Sequence, residues 1–556
     1  MNPVLRVVFL AGSDTASTRE AIEAVCNLPD IKPMGILLDE GHSASSRRLR
    51  NFRNNIRRDG FAYPLFRVLG IVRRLTDTLV RRSAFRRAGV LNTLRKAFPE
   101  RCFSLGDIAR KHSFDLYSFP DLNGPAAAAK LLSLEADLGI VLGTRVLRRE
   151  IFSVPRLGCI NLHKGRVPDY RGLPPGFWEL YDGAESAGIT VHFVDSGLDT
   201  GDVIATSEIP IEPLDTPDTV LEKLHREGTR VLAEAVASIQ RDSFSRQPQP
   251  RSARKTRTKP SRAQVAALRN RLPHWKTRGD TAAILKNLYS LAIYWSGIYA
   301  ATRAWHRAAG TRAAILLYHR VNDYAGDVLT ASTEAFAAQL LALAERYPVT
   351  DTASLVQAVS QKRAFPATSI AIHFDDCYRD VCTNGAPILK TLNFPAAFFV
   401  SSGFIDTDRT FAHDQKRYPF RFENLRSGDL RGWAAEGFEV GAHTVNHIDL
   451  GTCTLDDAGI EIVESGRELA AVLGKPVTLF SFPFGSVRNI RPETAEIVMR
   501  SSYEALFSAH GGFVNPSTEL SDIPRIGCSG ETLPLYLLLE VEGLAPNQLK
   551  SALLKR

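Results

Sequence analysis

At 556 residues the chain exceeds what one hydrophobic core usually supports, so two or three domains are expected. Its 44% hydrophobic and 23% charged residues are the balance of an ordinary soluble globular protein, not of a disordered or fibrous one. The net charge of +9 sits largely in a few basic stretches, and with no aromatic-rich basic motif it does not point to nucleic acid.

In chain order, Leu5–Gly12 reads as a strand ending in glycine, followed by a helix from about Ser17. That pattern opens a doubly wound α/β domain. No charged and apolar leader precedes it, so a cytoplasmic location is expected. Residues 43–113 interleave arginine with Leu, Phe, Val and Ile. They read as a solvated helical excursion, with a basic amphipathic surface for anionic lipid as the alternative. Asp137–Gly143 is a second strand-like run, and the informative stretches Cys159–Gly172 and Gly188–Gly201 follow it. Strand periodicity of two puts Asn161 and His163 on one face. An amide donor beside an imidazole suits polarising a carbonyl, and a carboxylate from a separate loop can orient that imidazole or accept a proton.

Residues 244–262 lack a hydrophobic period and read as a linker or strap, and 263–272 look helical and basic. The apolar, aromatic stretch 287–302 falls short of the roughly 20 residues needed to span a bilayer. An interfacial helix and a helix docked on a neighbouring core are both open. The expected domains are thus 1–243 with the insert 43–113, a linker 244–311, and 312–556. The seven cysteines are scattered, with no CxxC pair, which argues against a disulfide framework.

In the last domain, Ile370–Phe374 is too short for a helix and reads as a buried strand that presents Asp375 and Asp376 to a cleft. His443 and His447 follow another strand-like run, Gly437–Ala442, and one helical turn between them would turn both imidazoles toward a single metal. Each piece alone also occurs in helix caps and loops. Together they offer a divalent metal its ligands and leave one carboxylate to act as a base.

Two resemblances follow from these residues. Residues 1 to about 210 resemble the folate-dependent formyltransferases. The resemblance maps that family's Asn, His and Asp onto Asn161, His163 and Asp199, with 10-formyltetrahydrofolate as donor to a primary amine. Lys164–Pro168 departs from the family's usual loop, so an unusual acceptor is expected. Residues 312–530 resemble the NodB-type polysaccharide deacetylases of carbohydrate esterase family 4, with a distorted (β/α) barrel fold. Their first motif appears as His373–Cys377, the second as His443–His447, and the third as Ser481–Phe484. The resemblance makes Asp376, His443 and His447 the ligands of a divalent metal, with zinc favoured, and Asp375 the general base. A backbone N–H near Pro483 and Phe484 would serve the oxyanion. His319, ending Ile315–His319, stands for the general acid, in the order of the circularly permuted members. Cys377 replaces a glycine, and Ser481 replaces the arginine that orients the base, so Asp375 is expected to be less firmly held. His413 and Asp414 are candidates to line the sugar site.

A deacetylase makes the free amine that a formyltransferase needs. The expected function is therefore N-deacetylation and formyl transfer on an amino sugar carried by a nucleotide, lipid or polymer. Two alternatives stand beside it. One is formylation followed by deformylation of a lipid-linked amino sugar, with peripheral contact at the inner membrane face. In the other, one domain is catalytically dead and serves as a glycan-binding or scaffold module.

Overall fold

The computed structural model describes residues 4–41, 63–84, 87–250, 256–273, 275, 280–309, 312–324, 327–365, 367–376, 378–418, 420–530 and 532–549. The chain forms two compact units. One is built chiefly from residues 1–67 and 100–277, the other chiefly from 68–99, 278–415 and 420–556.

The first unit centres on a seven-stranded sheet: β1 (Leu5–Ala11), β2 (Ile31–Asp39), β3 (Leu116–Phe119), β4 (Leu138–Leu142), β5 (Cys159–His163), β6 (Ser186–Phe193) and β7 (Val203–Pro210). Their order is β3-β2-β1-β4-β5-β6-β7. The pairs from β3 to β5 are parallel, and β6 and β7 close the edge antiparallel. Alternate residues of β1 enter two different cores: Val7, Phe9 and Ala11 on one face, Val8 and Leu10 on the other. Helices Ala16–Cys26 and Pro217–Gln240 bury residues in the first core, and helix Pro125–Ser133 does so in the second. This is the two-sided cover of a doubly wound sheet.

The stretch expected as a linker from 244 is pinned to this unit. Bridges join Gln247 to Val203 and Arg257 to Gly172. Gly172 has φ +98, and a Cβ there would lie 2.0 Å from the Arg257 carbonyl oxygen, so only glycine allows that approach. The helix Arg262–Arg271 follows, capped by Ser261.

The second unit holds β8 (Ala313–Tyr318), the short parallel pair β9 (Arg320–Val321) and β10 (Thr330–Ala331), then β11 (Ser369–Phe374), β12 (Ala397–Val400), β13 (Glu439–Ala442), β14 (Leu479–Ser481), β15 (Ala505–Phe507) and β16 (Ile526–Gly527). Seven of them form a parallel sheet in the order β15-β14-β13-β12-β11-β8-β16. A bridge from Phe507 to Ile523 brings the chain entering one edge strand against the other edge, so the sheet curls into a distorted barrel. Small, aliphatic and aromatic residues fill the inside, among them Ala313, Ile315, Ala371, Phe399 and Phe507. His373 packs between Phe399 and Phe507 with ring centroids 5.0 and 4.9 Å away, and burial pushes its imidazole well below the usual range.

The second unit also takes in helices from the basic insert. Helix Arg87–Ala97 packs on helices Thr333–Ala344 and Ala386–Leu392, and Val80, Ala84, Val90 and Leu94 are buried. These four apolar residues between the arginines thus form a packing stripe, and the described part of the insert is not solvated on every side. The expected segment 42–62 lies outside the described residues. The apolar stretch 287–302 divides into helices Asp280–Trp295 and Ile298–Ala309, broken at Gly297 with φ +84. It docks by its inner face: Asn287 and Ser290 are buried, and the Tyr289 hydroxyl donates to the Leu544 carbonyl at 2.7 Å.

Candidate active sites

In the second unit, strand ends converge on Asp375 and Asp376. Both acids follow β11 directly, and both are buried. His443 follows β13, and its backbone N–H donates to the Val400 carbonyl. Its Nδ1 lies 2.8 Å from the Ser481 carbonyl oxygen. A carbonyl only accepts, so Nδ1 carries the proton and Nε2 is left bare as a ligand. The expected helical turn from 443 to 447 does not form. Thr444 and His447 have φ +62 and +55, and the loop is tied by Asn446, which donates to Glu461 from its backbone and its side chain. This left-handed loop, not helical periodicity, brings the imidazoles to ring centroids 5.1 Å apart.

Asp376 Oδ1 lies 3.4 Å from His443 Nε2 and 3.0 Å from His447 Nε2. That oxygen is buried without a hydrogen-bond donor. Each of the three residues offers one ligand atom, and these atoms lie within 4.8 Å of one another. A bare carboxylate oxygen facing two imidazole nitrogens fits a divalent cation, and zinc among them. Burial pushes the Asp376 carboxyl up, but the imidazoles outweigh it and hold the group well below the usual range. His319 follows β8 among the same charges. Burial lowers its imidazole against the pull of Asp376 and Asp375, and its Nδ1 is buried without a partner. Phe484, at φ +63 and 53% exposed, stands 4.9 Å from the His447 ring, beside buried Pro483. The two residues His413 and Asp414 part ways. Asp414 accepts from Arg320 at 2.6 Å and from the Tyr378 hydroxyl at 2.6 Å, while His413 Nε2 lies 3.8 Å from Asp376. Cys377 lies outside the described residues.

In the first unit, Asn161 and His163 lie on β5, and Asp199 lies in a loop at φ +54. The antiparallel register sets His192 of β6 opposite Asn161. His192 Nδ1 is 2.8 Å from the Phe193 carbonyl, so it carries the proton, and Nε2 accepts from the Asn161 amide at 3.2 Å. His163 Nε2 likewise donates to the Tyr170 carbonyl at 2.8 Å, turning Nδ1 toward Asp199 Oδ2 at 3.5 Å. Asp199 accepts from the Gly172 backbone N–H at 3.1 Å and from Asn161 at 3.4 Å. Burial raises the Asp199 carboxyl, but the two imidazoles and the Gly172 N–H bring it below its ordinary value. His163 is lowered by its own burial despite Asp199. The cluster therefore joins an amide donor and a carboxylate–imidazole pair able to take up a proton.

Residues 96–236 match the formyl transferase family, and residues 362–501 match the polysaccharide deacetylase family. The chain joins a formyl transferase domain to a polysaccharide deacetylase domain. A methionyl-tRNA formyltransferase of Desulforamulus reducens is 39% identical over 105 residues, 19% of this chain and 33% of that one. The chain spans 33% to 46% of the length of the curated relatives it matches first. Among solved structures, a Streptococcus pyogenes deacetylase in complex with acetate is 22% identical, with a TM-score of 0.36 over 41% of this chain and 98% of that one. Glycinamide ribonucleotide transformylase 1 from Symbiobacterium toebii is 17% identical, with a TM-score of 0.29 over 43% of this chain and 89% of that one.

In the deacetylase domain, sequence reasoning missed Arg525. Ser481 holds the place of an orienting arginine, yet Asp375 is not loosely held. The fully buried Arg525 forks onto both its oxygens, Nη1 to Oδ1 and Nη2 to Oδ2, each at 2.7 Å. Ser481 completes the clamp: its hydroxyl donates to Asp375 at 3.1 Å and accepts from Arg525 at 2.7 Å. The Arg525 Nε donates to the Ser508 carbonyl at 2.8 Å, which fixes the plane of the guanidinium. Burial pushes the Asp375 carboxyl up, but the Arg525 charge more than offsets this and keeps it below the usual carboxylate range. In the formyl transferase domain the missed residue is His192, whose only signal was its place across from Asn161 on adjoining strands.

Proposed function

We propose that the protein is a bifunctional enzyme that removes an N-acetyl group from an amino sugar and caps the exposed amine with formyl. The observation that carries this reading is the Asp376–His443–His447 triad, its first two members buried and the third half-buried, with Asp375 clamped beside it. A divalent cation held by that triad would supply a Lewis acid for the amide oxygen and for water. Asp375, ionised and fixed by Arg525, accepts the proton of the attacking water. His319 returns a proton to the departing amine, a poor leaving group without it. The backbone at Pro483 and Phe484 borders the developing oxyanion, and the exposed Phe484 ring offers a stacking face for a sugar. His413 lies beside Asp376, its Nε2 3.8 Å from the carboxylate.

The free amine then meets the second site. With 10-formyltetrahydrofolate as donor, Asn161 donates to the formyl oxygen, and the His163–Asp199 pair takes the proton the amine sheds. The balance is amide plus water to amine plus acetate, then amine plus formyl donor to formamide plus tetrahydrofolate. One chain carrying both sites raises the concentration of the intermediate at the second. The complete constellations in both domains count against the reading in which one of them is only a scaffold. Formylation followed by deformylation would be a futile cycle on one shared substrate unless a lipid-transfer step intervenes.

The test is to incubate the protein with N-acetyl sugar nucleotides, lipid-linked sugars and oligosaccharides, each with formyl donor and zinc. The expected product has lost one methylene in mass. Accumulation of free amine with no formamide would overturn the coupling.

A further inference from the structure

We propose that the second unit seats on an anionic phospholipid bilayer through the solvent faces of helices Tyr63–Ala84, Asp280–Trp295 and Ile298–Ala309. The three helices adjoin: the Asn287 side chain donates to the Thr76 hydroxyl at 3.1 Å, and the last two pack on each other. Their inner faces are spent on the core, with Thr76, Val80, Asn287, Ser290 and Tyr299 buried. Their outer faces are apolar all the same. Leu75 and Leu79 are 58% and 51% exposed, Leu285 is 62%, and the indoles of Trp295 and Trp305 are 71% and 66%. Leu75 and Leu79 lie one turn apart and so share a stripe. A water-facing helix has no need of such a stripe, and two bare tryptophans are costly unless an interface covers them.

Charge selects the occupant. Helix Tyr63–Ala84 carries five arginines and one acid, Asp77, and residues 280–309 carry three Lys or Arg against one acid, Asp280. Arg74 and Arg82 are exposed on the first helix and Arg307 on the last, whereas Arg81 pairs with Glu334 at 3.6 Å. Indoles with arginines round an apolar strip are the pattern of a helix lying in a headgroup layer, drawn by anionic lipid and held by buried rings. No helix among the described residues is long and apolar enough to cross a membrane, so the contact would lie on the bilayer. None of these residues touches either proposed reaction site, so this inference stands or falls apart from the acyl-exchange reading.

Vesicle flotation of the full chain tests it, with phosphatidylcholine vesicles and with the same vesicles containing phosphatidylglycerol. Floating with the phosphatidylglycerol vesicles alone, weakened by salt, is the expected result. The exposed-site variants W295S/W305S and R74E/R82E should each lower partitioning about tenfold or more while formyl transfer and acetate release from soluble substrate stay unchanged. Absence of binding to both vesicles, equal binding to both, or unaltered binding by both variants would overturn it. So would a W295S/W305S chain whose only change is a smaller mass in solution, since the strip would then join two copies of the chain.

Discussion

The two proposed reaction sites rest on carboxylates held in opposite ways. Asp375 is gripped by a buried guanidinium through two hydrogen bonds of 2.7 Å, with a serine as a third contact. Asp199 has one backbone N–H at 3.1 Å, while its amide and imidazole neighbours stand at 3.4 to 3.6 Å. Hydrolysis of an amide needs a base fixed against one water, so rigidity serves it. Transfer between two large substrates needs groups that tighten only once both are bound. Under the proposed reactions, each acid is held only as firmly as its step would require.

The sharpest break of this comparison is the metal. Dialysis against a chelator, or Asp376→Ala, should lower acetate release by about a thousandfold or more and leave formyl transfer untouched. Parallel loss of both activities would mean the two sites are not separate. Next comes Arg525. Arg525→Ala leaves a buried carboxylate unpaired and should cost about 3–5 kcal/mol of stability. Arg525→Lys keeps the charge and loses the fork, so kcat should fall about a hundredfold with KM and bound divalent metal unchanged. An Arg525→Lys enzyme of full kcat would remove the clamp from the account. Asn161→Ala should slow formyl transfer about a hundredfold, read as single-turnover rate with deacetylation as the internal control. The smallest effect is expected for His192→Asn, about tenfold in formyl transfer, because it steadies Asn161 and need not touch the acyl group.

The doubly wound sheet, the curled parallel sheet and the convergence of Asp375, Asp376, His443 and His447 were legible, because short apolar runs ending in acids or imidazoles mark strand ends. Arg525 was not. It stands 150 residues from Asp375 in sequence, before a two-residue strand that has no periodicity to find. The spacing of four from His443 to His447 matches a helical repeat, but left-handed backbone at Thr444 and His447 gives the same meeting by another route. The packing of Val90 and Leu94 was hidden by the arginines around them.

Helix Arg87–Ala97 of the insert carries a consequence for biosynthesis. It leaves the ribosome long before helices Thr333–Ala344 and Ala386–Leu392, on which it packs, and must wait for a partner not yet made. The barrel, once made, finishes its surface with a piece from upstream. A gene cut near residue 311 would therefore release a C-terminal product with an uncovered apolar flank, because residues 68–99 belong to the second unit.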